Sequence, residues 1–154
     1  MANLLVAMHA MTGILSIFAF LVVFVELLSP TKKVIKRIKI FALIGTILIF
    51  ISWTIGGYYY VIYYGPDVKP AIKEGSSPWV HSVVMETKEH VFLFLPFLAI
   101  LITGMIFSSD INLLENHKVK SYVLIICALI ILLGLAIAGM GYLISAGARA
   151  LGVV

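Results

Sequence analysis

Four stretches of this 154-residue chain are long, apolar and almost free of charge, and no other feature restricts its fold so strongly. A helix needs about 20 predominantly apolar residues to cross a hydrocarbon core of about 30 Å. Leu4 to Leu28, Ile38 to Tyr64 and Tyr122 to Ile144 reach that length. Val91 to Phe107 is shorter, but Ser77 can cap a helix with Pro78 at its first position, so this helix is expected to begin near Trp79 with a polar first half. The expected spans are about 4–28, 38–64, 79–108 and 119–146. Membrane β-strands would alternate apolar and polar residues over about 10 positions, whereas these runs are continuous. The expected fold class is all-α: an integral membrane four-helix bundle forming a single domain over 1–154.

Composition agrees, because 62% apolar residues against 12% charged lies outside the range of soluble domains. The basic residues set an expected orientation. Lys32, Lys33, Lys36, Arg37 and Lys39 cluster between the first two spans, and Lys118 and Lys120 precede the fourth. The other end has only Lys69, Lys73, Lys88 and Arg149. The positive-inside rule then places the first loop in the cytoplasm and both termini on the outer side. No basic flank precedes the first run and no small-residue cleavage pattern follows it, so it is expected to be retained. The net charge of +4 follows from these lysines, for which an anionic lipid surface is a sufficient partner, and no nucleic acid is implied. The longest loop is expected from Gly65 to Ser77, with Pro66, Pro70 and Gly75 marking turns. Glycines at 13, 45, 56, 57, 104, 134, 139 and 141 offer surfaces for close helix packing. The single cysteine, Cys127, has no disulfide partner in the chain and reads as a small packing residue.

Ionisable groups inside a span are costly and usually have a partner or a task. Of four histidines, His9 and His90 come out at the same membrane face, each near the start of an apolar run. His81 lies about 13 Å above His90 along the same helix, and His117 lies at the opposite face. Glu86 and His90 are four apart and share a helix face, so the carboxylate can hold the second nitrogen of His90 or of His9. Met8, Met11, Met85 and Met140 gather at the same level. Three readings follow. His9 and His90 are the metal ligands of one b-type haem, with Gly56 and Gly57 admitting the macrocycle and Trp53 or Tyr58 packing on a haem or quinone ring. Alternatively, His9, His90, Glu86 and a methionine hold bare copper or iron. In the third reading these are interfacial residues and the chain is a non-catalytic accessory subunit of a larger membrane complex.

Other polar positions have plainer explanations. Glu26 reads as a boundary carboxylate paired with Lys32 and Lys33, the run from Tyr58 to Tyr64 as an interfacial aromatic belt, and Pro96 as a helix kink.

The stretches "MHAMTG" around His9, "KVIKRIKIFALIG", "EHVFLFLPFLAIL" around His90 and Pro96, and "ENHKVKSYVLI" around His117 cover most of the chain. Together they resemble small four-helix bacterial and archaeal membrane proteins linked to cytochrome oxidase assembly. The plan also resembles one half of haem A synthase and the four-helix transmembrane b-type cytochromes. That resemblance implies a multi-pass protein of a prokaryotic plasma membrane. It further implies haem b, electron transfer or oxidase biogenesis, a quinone or a larger respiratory complex as partner, and a possible homo-oligomer. Where that family carries a histidine at the start of the second helix, this chain has Lys36, Arg37 and Lys39. His117 therefore lacks a partner, and one outer haem is expected.

Overall fold

A backbone in hydrocarbon has no water to bond, so each apolar run closes its own hydrogen bonds as a helix. The computed structural model describes residues 1–109 and 112–153, and no strand occurs among them. Helix α1 spans Ala2–Leu28 and α2 spans Lys32–Tyr59. A π-helical segment, Tyr60–Val68, and α3, Lys69–Glu74, continue α2 as one rod of 43 residues. The third rod has 29 residues: π-helical Val80–Met85, then α4, Glu86–Phe92, and α5, Phe94–Ser108. A short α6, Asn112–Glu115, leads to α7, His117–Ala150. Four helices are thus long and apolar enough to cross a membrane.

Contacts join α1 to α2, α2 to α5, α5 to α7 and α7 back to α1, closing an up-down-up-down square. One end carries the lysine-rich first loop, and the other carries the termini and the turn between α3 and the third rod. Asn116 starts α7 by accepting hydrogen bonds from the backbone N–H of Lys118 and Val119. Glu26 pairs with Arg37 of α2 rather than with the lysines that start that helix, and its second oxygen, Oε2, is buried without a hydrogen bond.

The segment expected to form a loop from Gly65 is helical to Glu74. In an α-helix Pro66 would remove a hydrogen bond and press its ring on the carbonyl four residues back. The wider π turn relieves that conflict, and Lys69 N–H reaches the carbonyl of Tyr64, five residues back. The real turn is short and begins at Gly75, whose backbone is extended. Upstream of Pro96 the α-helical hydrogen bonding is interrupted at Leu93, between the end of α4 at Phe92 and the start of α5 at Phe94, while the Leu93 backbone keeps helical angles.

Two apolar cores result. The larger fills the middle of the square with Phe20, Val23, Ile38, Ala99, Ile102 and Cys127 among its residues. The smaller, at the terminal end, joins Tyr64, Val68, Ile72, Val80, Met85, Ile144 and Ala148, and takes no residue from α1. Not all the glycines serve the packing. A Cβ on Gly45 would lie 2.8 Å from the ring of buried Phe20, and one on Gly134 would lie 2.8 Å from Ile17. At Gly57, Gly104 and Gly139 a Cβ would meet nothing within 4 Å.

Gly45→Ala is therefore expected to lower stability by about 1–3 kcal/mol through overpacking against Phe20. Gly104→Ala should leave stability unchanged or raise it by up to about 1 kcal/mol, since Ala favours the helix. Thermal or denaturant unfolding of the two variants in one detergent checks the contrast.

Candidate functional site

Polar side chains in the apolar middle of the bundle hold the helices together. Ser16 Oγ donates to the Gly45 carbonyl at 2.9 Å, and Cys127 Sγ to the Phe20 carbonyl at 3.1 Å. The hydroxyls of Thr46 and Thr103 lie 2.8 Å apart, and Thr46 Oγ1 also reaches the Ala42 and Ala99 carbonyls. The hydroxyls carry no charge, and the thiol is fully buried.

Ionisable groups gather instead at the terminal end. His9 is half-buried, and its Nδ1–H donates to the Ser52 carbonyl at 2.8 Å, while Ser52 Oγ donates to the His9 carbonyl at 2.9 Å. Gly56 makes room for this ring, because a Cβ there would stand 2.7 Å from its Nδ1. The notch expected to admit a macrocycle is thus filled by His9 itself. Gly57 faces open space, and Trp53 is 42% exposed, tilted against Phe50 and Phe92 at ring separations of 6.1 and 6.3 Å.

His90 is exposed on α4, and its Nδ1–H donates to the carbonyl of Glu86 at 2.6 Å. Two residues earlier, Lys88 lies against α7, where its Cε is 3.9 Å from the Cβ position of Gly141. Two helical residues are about 200° of rotation, so His90 faces away from the interior that Lys88 enters. His9 points at α2 and His90 points outward. The two imidazoles have different surroundings, and in each a carbonyl holds Nδ1, the usual arrangement of a histidine that ligates through Nε2. Among the described residues no three His, Cys, Asp or Glu side chains converge as a metal site.

The histidine that does acquire a polar environment is His81. It is 2% exposed, and its Nδ1 lies 3.0 Å from the hydroxyl of Tyr64, itself 1% exposed. Its Nε2 lies 3.9 Å from Glu86 Oε1, beyond hydrogen-bond length but within ion-pair reach. The carboxylate of Glu86 is largely exposed, so the sequence Glu86, His81, Tyr64 leads from the surface to the interior. Tyr60 continues it by stacking on Tyr64 with ring centroids 5.3 Å apart. Glu89 is the nearest carboxylate to Tyr60 and also faces Lys88 electrostatically. Glu86 thus serves His81 with its side chain and His90 with its main chain.

The π-helical turns explain why sequence reading passed over this group. Both Tyr64 and His81 lie in π segments, whose five-residue hydrogen bonds rotate side chains away from the positions that a 3.6-residue period assigns. The spacing Tyr60 to Tyr64 was visible, but an aromatic belt absorbed it.

Tyr64→Phe leaves the buried His81 Nδ1 without a partner, an expected loss of about 1–3 kcal/mol. Ser52→Ala, which removes one hydroxyl bond between α1 and α2, should cost about 1 kcal/mol, and unfolding in detergent compares the two. Comparison with protein-family models, curated proteins and solved structures finds no match to this chain, so its geometry and sequence carry the functional reading.

Proposed function

We propose that this chain is a multi-pass cell-membrane subunit of a quinol-linked electron-transfer or oxidase-assembly system, and that its part is proton exchange at the outer face. The lysine-rich end is the cytoplasmic end in this reading, by the positive-inside rule, so the termini and the Tyr64–His81–Glu86 chain are outside. The observation that supports it is buried His81, in contact with a buried phenol on one nitrogen and facing an exposed carboxylate with the other. Imidazole can take a proton on one nitrogen and release one from the other, with Tyr64 passing protons outward from the interior and Glu86 releasing them to bulk water. Between the two ends the interior polar groups of the described residues are hydroxyls and a thiol, so the chain serves one face rather than forming a path across the bilayer.

A second reading, a b-type haem or metal ion ligated at Nε2, is favoured by the carbonyl-held Nδ1 atoms of His9 and His90. Since His90 faces outward, its partner ligand would come from a second copy or another subunit of the assembly.

The complex purified through a tag on this chain and reconstituted in liposomes tests both. Quinol-driven acidification of the outer bulk, followed with a pH dye, should fall roughly tenfold or more in Glu86→Gln and His81→Phe. Glu26→Gln at the other end should leave it unchanged. Acidification at the full rate in Glu86→Gln rejects the proton-exchange role. A reduced-minus-oxidised Soret band lost in His90→Ala would establish the haem reading.

A further inference from the structure

Lys88 is a half-buried cation at the terminal end whose side chain lies against α7. The depth of its ammonium can be counted. About 20 residues, or about 30 Å of helix, separate Ser108 from Lys88 on the third rod. The same count from the lysine-rich end reaches His9 on α1, Tyr58 on α2 and Gly139 to Gly141 on α7. Lys88 therefore stands where the hydrocarbon ends and lipid phosphates begin. A lysine at this depth usually extends along the lipid side to reach water and phosphates. This one is half-buried and rests against α7, with its Nζ 4.0 Å from the Cβ position of Gly141.

Among the described residues no carboxylate lies within ion-pair distance of Lys88 Nζ, and Glu89, next in sequence, acts on it only at longer range. The group facing it from α1 is His9, whose free Nε2 adds no negative charge. On the α7 side its neighbour is Gly141, which offers no counter-charge. A half-buried ammonium without a counter-charge is costly, and a bound anion removes that cost. At this depth the abundant anionic group is phosphate, which lysine binds as a compact point charge.

We propose that Lys88, packed against Gly141 of α7, forms a binding site for a phosphate group at the terminal end of the bundle. The phosphate is either that of an anionic lipid headgroup or that of a free solute, and the two sources are distinguishable. It is independent of the proton-exchange reading, because Lys88 is no part of the Tyr64–His81–Glu86 chain.

The test is the unfolding temperature of the full chain in neutral phosphatidylcholine nanodiscs. It is titrated separately with short-chain phosphatidylglycerol and with inorganic phosphate at constant ionic strength. The wild type should show a saturable rise with at least one probe. A rise with phosphatidylglycerol alone assigns a lipid headgroup, and a rise with inorganic phosphate assigns a free anion. Lys88→Gln should abolish the rise, Lys88→Arg should keep it, and Lys118→Gln at the opposite end should leave it intact. Gly141→Leu, which fills the approach and keeps the charge, should also abolish it and serves if Lys88→Gln does not fold. No rise with either probe in the wild type, or an equal rise in Gly141→Leu, overturns the proposal.

Discussion

The architecture depends on hydrogen bonds that side chains donate to the main-chain carbonyls of neighbouring helices. Lipid tails are as apolar as leucine, so burying Phe20 or Ile102 between helices rather than in lipid gains mainly contact. Contact alone does not choose one register over another a turn away. The Ser16 to Gly45, Ser52 to His9, Thr46 to Ala99 and Cys127 to Phe20 bonds do, because each donor finds its acceptor at one alignment. Individually they are worth about 0.6 kcal/mol in a membrane, so their effect lies in selecting the arrangement more than in its total stability. Where a glycine thins the neighbouring helix, as at Gly45 and Gly56, the partner side chain moves close enough for the bond to form nearby.

Polarity then divides the bundle by depth. The middle uses groups that satisfy themselves and carry no charge, while ionisable groups stand at both ends, with His9, His81 and His90 at the end where the termini lie. Within that end the helical phase separates His90, which is exposed, from Lys88, which turns inward. Neighbours in sequence thus serve different surroundings, and Glu86 addresses two histidines through different atoms.

Much of the fold was legible because hydrophobic length is a direct consequence of bilayer thickness. The third helix begins near Trp79 as its Ser77–Pro78 entry predicts, with the Ser77 carbonyl, not its hydroxyl, accepting from Val80. The second helix was misjudged beyond Tyr64 because Gly65, Pro66 and Pro70 are breakers in α geometry and tolerable in a π turn. The site was less legible. Shared depth made His9 and His90 look like a pair, but depth is one coordinate and rotation about the helix axis is the other. Gly56 was rightly singled out as a place of close approach, and the body that approaches is an imidazole from the same chain.

The continuous rod from Lys32 to Glu74 has a mechanical consequence. At 1.5 Å per residue its 43 residues measure about 65 Å, roughly twice the hydrocarbon thickness. A hydrocarbon core takes up about 20 of these residues, and the last four or five turns are excess length, braced by the start of the third rod and the end of α7 through the smaller core. Helix α1 contributes nothing there, so the projecting part is a three-legged turret on a four-legged base. If the four helices cross a bilayer, this excess length stands outside it as a continuation of the same helices.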